Sequence, residues 1–162
     1  MRVTETATLL FTLAIATSGC QQQPETATNE GSDANSAAVD AGELLLADEP
    51  DGATGVIAVR ETAQDGDEVV VVGRIGGGVN PWIEGRAAFS IVDGSLKACS
   101  DIPGDECETP WDYCCETSKL PDATALVKVV GADGELVKTD ARQLLHVEEL
   151  STVVVKGTAQ KD

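Results

Sequence analysis

Four cysteines in the second half of the chain are the residues whose types and spacing could do chemistry. Cys99, Cys107, Cys114 and Cys115 lie within residues 93–124, a stretch with little regular hydrophobic pattern. Thiols at this density can form disulfides, bind a soft metal ion or exchange electrons. Six carboxylates lie among and beside these cysteines, at Asp101, Asp105, Glu106, Glu108, Asp112 and Glu116. The sequence therefore places its candidate site in this Cys-rich loop.

Two disulfides are the pairing state that the sequence favours. Loops longer than about 12–15 residues in a compact domain are usually functional or disordered unless something ties them. In an oxidising compartment, disulfides would tie this loop and stabilise the domain by roughly a few kcal/mol. Adjacent residues on an extended chain point to opposite sides, which disfavours a Cys114–Cys115 bridge. We expect each of these two to pair with Cys99 or Cys107, and both such pairings stay open.

A metal centre is the alternative for the same four thiols, with His146 as a further ligand. Structural zinc sites favour C-x2–4-C spacings, and the spacings here do not match them. A calcium site on the loop carboxylates would lack the EF-hand pattern. A redox role lacks a C-x-x-C motif. The sequence therefore predicts neither a metal nor another cofactor, and a metal-binding or redox protein centred on these cysteines remains the alternative function.

No other residues form a catalytic constellation. The Gly-rich segment 73–78 follows a strand-like run but leads into Val79-Asn80-Pro81 instead of the helix that a phosphate site needs, so it is interpreted as a bend. His146 is the only histidine, and it has no nucleophile at a recognisable spacing. The serines lack a G-x-S-x-G context. We therefore predict that the protein is not an enzyme.

The N-terminus predicts export. An apolar run at residues 9–16 follows Arg2; it is shorter than the ~20 residues that span a bilayer and has the length of a signal-peptide core. It ends in Thr17-Ser18-Gly19-Cys20, which resembles the bacterial lipobox, where the cysteine is acylated. The resemblance implies a signal peptide over 1–19, lipidation of Cys20, a lipid bilayer as partner, and a periplasmic or outer-face location in the cell envelope. An ordinary secretory signal is the alternative.

The net charge of the whole chain, -17, would repel nucleic-acid phosphates, so no nucleic-acid partner is expected.

The segment after the predicted signal peptide has an unusual composition. Between residues 21 and 55 there is no Lys or Arg, and small polar and acidic residues dominate. Such a stretch buries too little apolar area to offset its ordering entropy. Residues 20–55 are therefore predicted to be a disordered acidic tether, in which 43–47 forms either a transient turn or a short docked helix.

Residues 56–162 are predicted to be a mainly β domain. Its strand-like runs, rich in β-branched residues, lie at 68–77, 86–93, 125–130 and 151–158. The Asp133-Gly134 turn predicts a hairpin with a fifth short strand at 135–138. A capping residue, Asp140, predicts one short helix over 140–145.

This order of elements resembles a small OB-like, five-stranded Greek-key barrel, in which a Gly-rich kink lets the first long strand serve both halves. Only residues 156–162 follow the run Val153-Val154-Val155, so we expect a barrel that is open at that edge and lacks its last strand.

Three segments carry a more specific resemblance. The block from Thr109 to Cys115 (TPWDYCC), together with GRAAFSIVD and ELSTVVVKG, resembles uncharacterised exported bacterial lipoproteins of planctomycete type. That family has no assigned activity to carry over. The resemblance and the residues together predict a cell-envelope lipoprotein that acts as a non-catalytic binding or structural module, with its ligand unspecified.

Overall fold

The structure, a computed structural model, describes residues 39–161. The predicted signal peptide, Cys20 and the predicted tether up to residue 38 lie outside the described residues. Among residues 39–161 no helix has both the length and the apolar character needed to cross a membrane. The division into signal peptide, tether and domain stays a prediction.

The described chain is mainly β, as the sequence predicts, with a few short helices. The strands are β1 Thr54–Gly55, β2 Glu68–Ile75, β3 Ala88–Val92, β4 Thr124–Lys128 and β5 Thr152–Thr158. The α-helices are α1 Ala41–Leu44, α2 Val56–Thr62, α3 Leu120–Ala123 and α4 Ala141–Leu145. Two 3-10 turns lie at Cys99–Asp101 and Cys114–Glu116. The four long predicted strands correspond to β2 to β5, and α4 lies where a helix was predicted.

The strands form one open, mixed sheet. β2 pairs antiparallel with β5 from Glu68 to Arg74. The other edge of β2 is shared: β1 pairs with it in parallel at Val71 and Val72, and β3 pairs antiparallel at Arg74 and Ile75. β3 and β4 then pair antiparallel along their full lengths. β2 is therefore the central strand of the sheet.

The predicted fifth strand at 135–138 is wrong. The Asp133-Gly134 turn forms, since the Gly134 N–H donates to the Gly131 carbonyl at 2.9 Å, but only an isolated bridge between Val130 and Leu136 follows. The Val137 N–H donates to the Val129 carbonyl, and the Val137 carbonyl accepts the Ala87 N–H. Val137 therefore bonds to two different segments and does not form a continuous ladder with one strand. The fifth strand is β1, which falls within the range predicted as tether.

Helix α2 was not predicted, because its N-terminal cap comes from a distant residue. The run VIAVRET is β-branched and has no local capping side chain. Instead, the buried carboxylate of Asp93 accepts the Ile57 N–H through Oδ2 and the Ser95 N–H through Oδ1, each at 3.0 Å. A Cβ at position 55 would lie 2.6 Å from Asp93 Oδ2, so Gly55 allows this approach.

Helix α1 lies at the start of the described chain and is docked. The Asp40 side chain accepts the Gly42 N–H at 2.9 Å. Ala41 and Leu44 pack against a small buried cluster around Val137. Of residues 43–47, α1 includes only Glu43 and Leu44, while Leu45 and Leu46 are exposed.

Two larger hydrophobic clusters lie on the sheet. The first surrounds Trp82 and Phe89, whose ring centroids are 5.6 Å apart, and the Trp82 indole N–H donates to Glu149 Oε1 at 2.6 Å. The second, centred on Tyr113, lies beneath the Cys-rich loop; its buried members are Val92, Leu96, Ala98, Tyr113 and Ala123. The loop is therefore packed onto the sheet by its own apolar residues.

Replacing Asp93 with Ala should test the cap on α2. The change removes both acceptors and leaves two backbone N–H groups without their partner, so we expect the free energy of unfolding to fall by about 2 kcal/mol at neutral pH. Burial raises the pKa of Asp93, but the N–H groups of Ile57 and Ser95 outweigh it and leave the pKa below 3.8. This stabilisation is therefore present above pH ~4 and is lost as the pH falls through the lowered pKa. Urea unfolding at pH 7 and at pH 2–3 measures both effects.

Asp133→Ala is the matched control, since within residues 39–161 the exposed Asp133 side chain accepts only the Glu135 N–H. We expect Asp133→Ala to lower the free energy of unfolding by at most about half as much as Asp93→Ala does. The control should still lose stability as the pH falls. Equal losses in the two variants would contradict the assigned cap.

Candidate functional site

The Cys-rich loop, residues 93–124, connects β3 to β4 and contains only short helical turns and helix α3. Two backbone hydrogen bonds join its arms. The Cys99 N–H donates to the Asp112 carbonyl at 2.8 Å, and the Ser100 N–H donates to the Pro110 carbonyl at 3.0 Å. These bonds place the turn that begins at Cys99 beside the turn that begins at Cys114.

The Cys-rich loop packs against the residues that follow the end of β2. A Cβ at position 76 would lie 2.6 Å from the Trp111 carbonyl oxygen and 2.9 Å from the Tyr113 ring, so the approach requires Gly76. Gly77 has φ of 102°, in the region that favours glycine. The Trp111 indole donates to the Val79 carbonyl at 3.1 Å. The predicted bend follows Ile75, while residues 73–75 of the Gly-rich segment belong to β2. No sequence pattern indicates that the Cys-rich loop packs on this bend.

An ion pair also joins the loop to β2. Arg74 Nη1 lies 2.6 Å from Asp101 Oδ2, and Arg74 Nε donates to the Leu150 carbonyl. The hydrogen bond from Arg74 holds the pKa of Asp101 below its ordinary value. Both side chains are about a third exposed, with 27% and 34% of their surface accessible, so solvent limits the pair to roughly 1 kcal/mol or less. It fixes the position of the loop more than it stabilises the domain.

The structure brings the four predicted cysteines together around Cys114. Its Sγ lies 3.3 Å from Cys99 Sγ and 3.9 Å from Cys115 Sγ. The sulfurs of Cys99, Cys107 and Cys114 all lie within 4.8 Å of one another; we call these three residues the thiol triangle. A carboxylate oxygen of Asp105 forms a second group of that size with Cys114 and Cys115. The four are free thiols here, since a disulfide bond is about 2.05 Å long.

His146 was considered as a further metal ligand, and this is wrong. It is exposed at the C-terminal end of α4, with φ of 54°, and it belongs to neither group of potential ligands among the described residues. Cys20 lies outside the described residues.

The members of the triangle differ in acidity. Burial raises the pKa of the Cys99 thiol to about 12, and its contact with Cys114 adds to the effect. By contrast, a hydrogen bond with Thr109, whose Oγ1 lies 3.5 Å from Cys107 Sγ, lowers the pKa of the Cys107 thiol. Cys107 therefore loses its proton more readily than Cys99, whose thiol stays neutral at neutral pH.

This arrangement fits two of the chemistries considered for the loop. The sulfur–sulfur contact between Cys99 and Cys114, 3.3 Å, is shorter than that between Cys114 and Cys115, and a small movement would bring Cys99 and Cys114 to bonding distance. Both pairings that the sequence leaves open stay predictions. Three sulfurs within one small volume also suit a soft metal ion. The positioning residues Gly76, Arg74 and Thr109 were not found from the sequence, because each acts through a contact that only the fold creates.

Comparison with known proteins adds no relative. Neither a protein-family model, nor a curated protein, nor a solved structure matches the chain at a significant level. The resemblance to planctomycete-type lipoproteins stays a prediction, and the functional argument rests on the residues of this chain.

Gly76→Ala should displace the Cys-rich loop. The added methyl group would overlap the backbone of Trp111, which cannot move without the loop, so we expect a loss of about 1–3 kcal/mol in the free energy of unfolding. We also expect faster alkylation of the buried Cys99 thiol in the folded, reduced protein. Urea unfolding and mass spectrometry of iodoacetamide-treated samples measure the two effects.

Gly78→Ala is the matched control. A Cβ at Gly78 meets nothing within 4 Å, and its φ is not in the left-handed region. This variant should unfold within about 0.5 kcal/mol of the unaltered protein. If Gly76→Ala behaves like Gly78→Ala, the close contact between the bend and the loop is not present in solution.

Proposed function

We propose that the protein is a lipid-anchored, non-catalytic binding or structural module of the cell envelope. Two features support the proposal: the lipobox-like segment ending at Cys20, and the contact between the sulfurs of Cys99 and Cys114 in a loop of an exported chain. Thiol pairs of this kind become cross-links in an oxidising compartment, where they constrain small domains. The 3.3 Å contact is the observation that carries the proposal.

For the fold, we propose an OB-like Greek-key sheet. The order β5-β2-β3-β4 supports it, since a Greek key places three consecutive strands side by side and returns the fourth to lie beside the first. Among the described residues, β4 and β5 each pair along one edge only, so the barrel that we propose is open between them.

In the envelope, we propose that the loop is oxidised to a Cys99–Cys114 disulfide, with Cys107 and Cys115 as the second pair. Each bond forms by thiol–disulfide exchange with a disulfide oxidant. The two thiols lose two protons and two electrons, and the oxidant is reduced to a dithiol. Because the backbone already holds Cys99 near Cys114, the first bond needs little rearrangement.

Cys20→Ser tests the anchor. Acyl chains stabilise membrane binding by about 0.8 kcal/mol per buried CH2, so their loss should move the protein from the membrane fraction to the soluble fraction. Fractionation followed by a salt wash measures this, with Cys115→Ser as a control that keeps the anchor. If Cys20→Ser remains in the washed membranes, the lipoprotein assignment is wrong.

Peptide mapping under non-reducing conditions tests the cross-links. In protein purified from an oxidising compartment, we expect a Cys99–Cys114 peptide pair and a mass about four hydrogens below that of the reduced protein, as two disulfides require. Reduction should lower the free energy of unfolding by roughly a few kcal/mol. Four free thiols in the purified protein, or a Cys99–Cys115 pair, would contradict the proposed linkage.

Metal binding by the loop is a second candidate function, and the thiol triangle favours it. Three thiols within 4.8 Å of one another are more than a single disulfide uses. Soft thiolate ligands select copper(I), zinc or iron–sulfur clusters. In this alternative the same loop binds a soft metal ion when its cysteines are reduced.

A further inference from the structure

We propose that the reduced thiol triangle, Cys99, Cys107 and Cys114, binds one copper(I) ion in three-coordinate geometry, and that Cys115 is not a ligand. This inference rests on the second candidate function and deepens it, because it specifies the ion, the ligands and the coordination number.

The distances within the triangle suit a shared ion. Sulfurs bound to one metal at about 2.3 Å lie roughly 4 Å apart. The three sulfurs already lie within 4.8 Å of one another, and the shortest separation, between Cys99 and Cys114, is 3.3 Å. Shifts of less than about 1 Å at each sulfur would make the separations equal, which side-chain rotation can supply.

The number of sulfurs favours copper(I) over zinc. Structural zinc is bound tetrahedrally by four ligands. Among the described residues no fourth His, Cys, Asp or Glu ligand atom lies within 4.8 Å of all three sulfurs of the triangle. Cys115 and Asp105 instead form a separate group with Cys114. Copper(I) is soft and accepts three thiolates, so it matches the available ligands. Hard cations prefer oxygen ligands and would not select this set.

The backbone holds the three ligands in place before an ion arrives. The Cys99 N–H donates to the Asp112 carbonyl on the opposite arm of the loop. The Cys107 N–H donates to Asp105 Oδ1 at 2.7 Å. Cys114 follows the buried Tyr113, which packs against Gly76. The ligands therefore come from two 3-10 turns and from the segment between them, all in one anchored loop, so little loop ordering remains to oppose binding.

Charge around the triangle also favours a cation. The Cys-rich loop carries eight Asp and Glu residues against two lysines, Lys97 and Lys119, and Asp105 lies beside Cys114. The nearest arginine on β2, Arg74, is already paired with Asp101. An incoming copper(I) ion therefore meets a net negative surface.

Disulfide formation and copper binding exclude one another, since both use Cys99 and Cys114. In the oxidised protein, both sulfurs of the Cys99–Cys114 bond are consumed, and only Cys107 of the triangle is left as a thiol or in its own disulfide. Copper(I) binding therefore belongs to the reduced loop alone.

Copper(I) titration of the full chain tests this proposal. The chain carries Cys20→Ser so that its thiol does not compete, is fully reduced, and is kept anaerobic with a chromophoric copper(I) chelator as competitor. We expect one equivalent of copper(I) per chain and an X-ray absorption spectrum with three sulfur neighbours. Cys107→Ser and Cys114→Ser should each weaken binding by roughly a hundredfold or more. Protein oxidised with a small-molecule disulfide should bind none.

Cys115→Ser is the matched control, since it changes the neighbour of Cys114 and leaves the triangle intact. Its affinity should stay within about twofold of the parent, with circular dichroism confirming that all variants are folded. Equal losses in Cys115→Ser and Cys114→Ser would overturn the proposal. If zinc binds to four sulfurs more tightly than copper(I) does, metal binding stands and the copper(I) inference fails. If neither ion binds, both fail, while the membrane anchor is unaffected.

Discussion

Strand β2 hydrogen-bonds along both of its edges, and the positions of the other elements depend on this. One edge is filled by β5 over seven residue pairs. The other edge is divided, with β1 at Val71 and Val72 and β3 from Arg74 onward. Since each backbone group has one partner, β1 must end after two residues, and α2 begins immediately after it at Val56. β2 itself ends at Ile75, where the bend at Gly76 admits the Cys-rich loop.

The sequence predicted the parts of this fold that depend on local pattern. β2 and β5 are runs of valine, and turn residues bound them, so their type could be read directly. Helix α2 could not, because its cap is Asp93, 36 residues away, and its own residues favour a strand. The strand predicted at 135–138 failed for a related reason, since the partners of Val137 are set by the tertiary structure. The cysteines could be identified as a site by type, but their geometry depends on the contact of Trp111 with Gly76.

Noncovalent contacts position the Cys-rich loop without a cross-link or a bound ion. Its arms are joined by backbone hydrogen bonds, its underside is packed around Tyr113, and Arg74 ties it to the sheet. A loop this constrained has already lost much of its conformational freedom. The cross-links that we propose would therefore act mainly on the unfolded chain and would change the folded loop little. The same constraint explains how three sulfurs stay close together without a bond between them.

Burial of Cys99 decides which bonds the site can make. A thiolate at this position is unfavourable, because burial raises the pKa of Cys99 to about 12. A disulfide leaves the sulfur neutral, so burial does not oppose it. A soft ion forms a strongly covalent bond to sulfur and replaces the proton directly. A hard cation binds sulfur too weakly to offset the free energy lost when its hydration shell is removed. Both states that we propose for the loop, cross-linked when oxidised and bound to a soft ion when reduced, avoid an uncompensated thiolate at this buried position.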